Sequence, residues 1–229
     1  MGNCLSASDQ ASLRDLVLRP GTTSDTLTAD ELRRALTSVA STLHAKGSHI
    51  SIVAVGGAVN TLYLHSRETT SDVDFFFHTK TKNDDVTRVI AAADVARKHL
   101  NLDPSWLNNH TAVFIQEETI RQLYDEAVQQ GEVVFTAAGL TVYAAPWRYA
   151  LAAKLARVAM PHRRDYDMSD AVAYLDRLVS KRSGGAVRKS EIQQWAAEFK
   201  FAIPSPDVVM QNLTTAYREA KGREGLVDG

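Results

Sequence analysis

Between Ser51 and His78 the chain reads SIVAVGGAVNTLYLHSRETTSDVDFFFH, and this stretch constrains the fold more than any other. Ile52-Val53-Ala54-Val55 has the length and β-branched content of a buried strand. Gly56-Gly57 breaks the run, and Ala58 to Leu64 follows with helix-compatible spacing. Ser71 to Phe77 then closes the unit as a second strand. Alternate residues of a strand share a face, so Asp72 and Asp74 point one way and Val73 the other. Two adjacent carboxylates repel each other unless a cation neutralises them. Oxygen-ligated Mg²⁺ is the usual answer, and it commonly brings phosphates with it. A glycine pair supplies a turn whose backbone N–H groups can approach a phosphate closely. The competing account is a strand–turn–helix unit with a solvated Asp-Val-Asp at a strand start.

Gly56-Gly57, a spacer of fourteen residues, and Asp72-x-Asp74 preceded by Arg67 and Ser71 resemble the signature of the nucleotidyltransferase (polymerase-β-like) superfamily. The Gly-Gly form is similar to the branch of abortive-infection toxin nucleotidyltransferases and their uncharacterised relatives. The resemblance implies an α/β (α+β) fold, a mixed sheet with flanking helices. It also implies a nucleoside triphosphate held by Gly56, Gly57 and Ser71, with Mg²⁺ or Mn²⁺ held by Asp72 and Asp74 as the catalytic pair. Arg67 would support the site or pair with an aspartate.

Around this unit the pattern continues. Thr28-Ala29-Asp30-Glu31 is a capping box that opens a helix with Leu32, Leu36, Val39 and Leu43 on one face, ending near Lys46-Gly47. Asn83-Asp84-Asp85 starts a helix whose apolar face is Val86, Val89, Ile90, Ala93 and Ala96, with Ala91, Ala92 and Val95 as rivals. Residues 101–109 read as a loop in which Trp106 is core and Asn108 fixes the chain. Residues 120–130 form a helix ended by Gly131. Glu132 to Thr136 and Leu140 to Ala144 form a hairpin. From Pro146 the pattern is helical, over 146–160, 167–182, 187–200 and 206–220. The organisation is therefore an arm over 1–27, the catalytic-type domain over 28–145 and a helical region over 146–229.

A second polar cluster lies in the helical part. Lys154 and Arg157 share one helix face, as do Asp167 and Asp170 on the next helix. Charge pairing between two helices accounts for this. The resemblance implies more: Lys154 at the triphosphate, with Asp167 and Asp170 orienting Lys154 and Arg157. Tyr166, where relatives carry a basic residue before the first aspartate, departs from the pattern. So does the absence of a third carboxylate within either strand of the hairpin, which leaves Glu132 at the strand edge as the candidate third metal ligand.

The remainder of the chain narrows the function classes. A net charge of −1 argues against a dedicated nucleic-acid binder with a large basic surface. One cysteine in 229 residues permits no internal disulfide and fits a reducing compartment. Met1-Gly2-Asn3-Cys4-Leu5-Ser6 matches the N-myristoylation pattern at Gly2, with Cys4 beside it as a palmitoylation site. This opening resembles that of G-protein alpha subunits, although so short a pattern also arises by chance. The expectation is a cytoplasmic protein with peripheral membrane contact through its acylated N-terminus. Its lead activity is transfer of a nucleoside monophosphate from an NTP to RNA, a protein hydroxyl or a small molecule. The alternative is a degenerate nucleotide-binding or interaction protein. A phosphohydrolase is disfavoured, because His65, His78, His99, His110 and His162 are scattered singly.

Overall fold

The computed structural model describes residues 26–81 and 83–228. Gly2, Cys4 and the helix expected over 8–18 lie outside the described residues. The chain divides into two compact units between Ala144 and Ala145.

In the first unit, the end of the expected arm is a short strand, β1 (Leu27–Thr28), paired antiparallel with β3 (Thr69–Thr70). Thr28 caps α1 (Ala29–Ala45): its hydroxyl accepts the Glu31 N–H at 3.4 Å while Glu31 Oε2 accepts the Thr28 N–H at 2.8 Å. The residues spaced three and four apart on this helix, Leu32, Leu36, Val39 and Leu43, are all buried. Strand β2 (Ile50–Val55) ends at Gly56 and runs into α2, whose first turn is α-helical (Gly57–Val59) and whose second is π-helical (Asn60–Leu64). Strand β4 spans Val73–Phe76.

Asn83 caps α3 (Asp84–Leu100) by accepting the Val86 N–H at 2.9 Å. Its buried face is Val86, Val89, Ala92, Ala93 and Ala96, so Ala92 takes the place expected of Ile90. The span 101–109 is not wholly a loop. Leu107–Asn108 forms β5, and Trp106 before it is buried, its indole N–H donating to the Ala93 carbonyl at 3.3 Å. Then come α4 (His110–Phe114), α5 (Glu117–Gln130), β6 (Val133–Ala137) and β7 (Leu140–Ala144).

The five-stranded sheet has the order β5-β4-β2-β7-β6. Strands β2 and β7 are parallel, as are β4 and β5, while β2–β4 and β6–β7 are antiparallel. The central place of β2 explains its unbroken apolar run, since both faces are covered. These directions bring the C-terminal ends of β2 and β7 and the N-terminal ends of β4, β5 and β6 to one edge of the sheet.

The second unit is helical: α6 (Trp147–Val158), α7 (Asp167–Lys181), α8 (Lys189–Glu198) and α9 (Pro206–Lys221). Two short parallel strands, β8 (Val187–Arg188) and β9 (Leu226–Val227), were not expected. Trp147 stacks on Tyr174 at 5.9 Å in a core completed by Leu151, Leu155 and Leu175. The fold is thus α+β, a mixed sheet with flanking helices followed by a helical C-terminal half. Among the described residues no helix is long and apolar enough to cross a membrane.

Candidate functional site

The edge where these strand ends meet gathers the polar residues of the opening motif. Asp74 stands opposite Val55, the last residue of β2, so the Gly56–Gly57 turn follows beside the start of β4. Gly56 has φ +65°, a backbone state that L side chains rarely adopt. Gly57 is needed for a different reason. A Cβ there would overlap the Thr70 side chain and come within 3.4 Å of Arg67 Nη1. The turn therefore packs directly against the segment that leads into the aspartates, and Arg67 reaches it.

We expect Gly56→Ala to cost about 1–3 kcal/mol through backbone strain alone. Gly57→Ala should instead displace Thr70 and Arg67. Thermal melting with and without ligand separates them: Gly56→Ala lowers stability in both, whereas Gly57→Ala also shrinks the ligand-induced rise.

Asp72 immediately precedes β4 rather than lying within it. Its carboxylate nevertheless shares the face of Asp74. Asp74 is in register with Asn108 on β5, and Asn108 Nδ2 donates to Asp72 Oδ2 at 3.1 Å. Ser71 Oγ lies 3.4 Å from Asp72 Oδ1, and the Thr70 hydroxyl donates to the Asp72 carbonyl at 3.4 Å. Asn108 is itself buried and fully engaged: its Nδ2 also donates to the Ser105 carbonyl at 3.1 Å, and its Oδ1 accepts the His110 N–H at 3.0 Å. Burial holds the His110 imidazole below its ordinary value, against the upward pull of the Asp72 charge.

Glu132 is not in this group. It stands at the same edge of the sheet, but β6 is three strands from β4. Strands lie about 4.8 Å apart, which puts roughly 14 Å between them. That exceeds the reach of two carboxylates sharing an ion that holds oxygens at about 2.1 Å. The Glu132 carboxylate instead accepts a hydrogen bond from the Tyr63 hydroxyl on the π-helical turn, and it is largely buried. The strands beside β4 are β2 and β5, which set Val55 and the Asn108 amide against Asp74.

The donor set fits one Mg²⁺. Two carboxylates on one face suffice for an ion that completes its shell with water and phosphate oxygens. Among the described residues no group of three His, Cys, Asp or Glu side chains is placed to hold a metal.

The second cluster does assemble, within the helical unit. Lys154 Nζ lies 3.0 Å from Asp167 Oδ1 and 2.8 Å from Asp170 Oδ2, with all three side chains buried. Asp167 Oδ2 also accepts the Arg164 N–H at 2.8 Å. Burial pushes the Asp167 carboxyl up, but the Arg164 and Lys154 hydrogen bonds and the charges of Lys154 and Arg157 outweigh it and hold it below the ordinary range. The i, i+3 spacing of the aspartates was the signal for this triad, and Arg157 acts on it through charge.

Sequence reasoning gave Asn108 the role of fixing a loop and missed its contact with Asp72; it missed His110 altogether. Asn108 belongs to a strand of two residues, and His110 gains meaning only through the Asp72 charge. Residues 24–223 match a family described as "Domain of unknown function (DUF7582)". No curated protein and no solved structure matches the chain.

Proposed function

The chain belongs to the DUF7582 family, and we propose that it is a nucleotidyltransferase-like protein that binds a nucleoside triphosphate with one Mg²⁺ or Mn²⁺. The observation carrying this reading is the packing of the Gly56–Gly57 turn beside Asp74, with Asp72 on the same face. In it, Asp72 and Asp74 hold the metal, the backbone of Gly56 and Gly57 meets the phosphates, and Arg67 and Ser71 support them. The metal supplies neutralisation of phosphate charge. Lys154 is held between two buried carboxylates, the orienting contact expected of Asp167 and Asp170.

A second reading is transfer of the nucleoside monophosphate to RNA, a protein hydroxyl or a small molecule. The intact Gly-Gly and Asp-x-Asp pairs favour it. The amide at Asn108 and the distant Glu132 favour binding without transfer, since transfer in this superfamily ordinarily draws on a third acid. Incubating the chain with each labelled NTP, Mg²⁺ or Mn²⁺ and an RNA pool decides between them. Binding without transfer predicts retained label on the protein that EDTA releases and no labelled product. A covalently labelled acceptor would establish the second reading.

A further inference from the structure

We infer that Asn108 is a positioning residue that limits this site to a single divalent cation and holds Asp72 ready for it. The inference rests on the nucleotide reading above. Strand β5 lies next to β4, and Asn108 is in register with Asp74. It therefore shares the face of Asp74 and also reaches Asp72, whereas the residue opposite Asp74 on the other neighbouring strand is the apolar Val55. A carboxylate there would make a third oxygen donor and allow a second ion. An amide does the reverse. Its Nδ2 hydrogens are spent on Asp72 Oδ2 and the Ser105 carbonyl, and its Oδ1 on the His110 N–H.

The amide has no charge to offset a second cation, and its oxygen is already used. What it provides is a donor that partly neutralises Asp72 before any metal arrives. With the cation absent, that hydrogen bond fixes the carboxylate on the face of Asp74 and eases the repulsion between the two acids. Asn108 thus has two effects from one position: it preorganises the first metal and excludes the second.

The direct test is Asn108→Asp, with the metals counted by native mass spectrometry on chains carrying a non-hydrolysable NTP analogue and Mn²⁺. The expected result is one Mn²⁺ per nucleotide-bound wild-type chain and two per variant chain. Two on the wild type, or one on both, overturns the inference while leaving the nucleotide reading standing. No Mn²⁺ on either sinks the reading itself and the inference with it.

Melting provides a readout independent of that count. In EDTA, Asn108→Asp should melt below wild type, because three carboxylates then face one another and the Asp72 donor is lost. Mn²⁺ should raise the variant's midpoint more than that of the wild type. Asn108→Ala separates the two effects: it should retain one Mn²⁺ but bind it more weakly, by the ~10–100-fold typical of losing an outer-shell partner. Unchanged affinity in Asn108→Ala, or a Mn²⁺-induced rise no larger in Asn108→Asp than in wild type, would contradict the role assigned to the amide.

Discussion

Replacing Asp72 or Asp74 with Asn is expected to abolish magnesium-dependent nucleotide binding while leaving the metal-free chain as stable as before, or more so. The two carboxylates share one face at the start of β4, and without a cation they repel each other. Neutralising one relieves that repulsion. Asn at 72 still offers an oxygen to the Asn108 amide, so the hydrogen bond that orders the loop survives. Binding suffers because a ligand is removed outright, a larger loss than the ~10–100-fold that follows from disturbing an outer-shell group. Calorimetric titration with a nucleotide analogue and melting in EDTA read the two halves. A marked fall in metal-free stability would mean that the aspartates are structural.

The second large effect belongs to the helical unit. Lys154→Met should destabilise it by about 3–5 kcal/mol, because the buried Asp167 and Asp170 carboxylates lose the ammonium held between them. The triple change Lys154→Met, Asp167→Asn, Asp170→Asn should recover most of that loss, since removing a buried ion cluster whole is far cheaper than breaking it.

The pH dependence follows from the depressed Asp167 carboxyl. Its contribution in the wild type is fully present above the ordinary unfolded carboxylate value and fades as pH falls through the lower folded value. In Lys154→Met the same carboxylates lose their cation, so acid relieves the variant first. The stability gap between the two proteins should narrow as pH drops. Urea unfolding at several pH values measures it, and a gap that widens in acid would contradict the triad's role.

Much of this was legible in the sequence because short-range chemistry dictated it. The Thr28–Glu31 capping box, the apolar face of α1 and the β-branched run of β2 each need only a dozen residues or fewer to declare themselves. The shared face of Asp72 and Asp74 was read from the two-residue period of a strand, although Asp72 stands one residue before β4, and the Lys154 cluster follows from the helical period. Glu132 was misplaced because strand order is a property of the whole sheet. Nothing in the hairpin reveals that β7 and β2 separate β6 from the aspartates. Leu107–Asn108 is too short to show any periodicity. It is a strand only because Val73 and Asp74 offer it an edge to pair with.

The central claim is that the Gly56–Gly57 turn and the Asp72–Asp74 face form one nucleotide–metal site. Equilibrium binding of a fluorescent nucleoside triphosphate, measured in Mg²⁺ and again after EDTA, tests it most directly. The account predicts saturable one-to-one binding in Mg²⁺ that EDTA abolishes and that Asp74→Asn lacks. Absence of binding, or binding that survives both EDTA and Asp74→Asn, would contradict it.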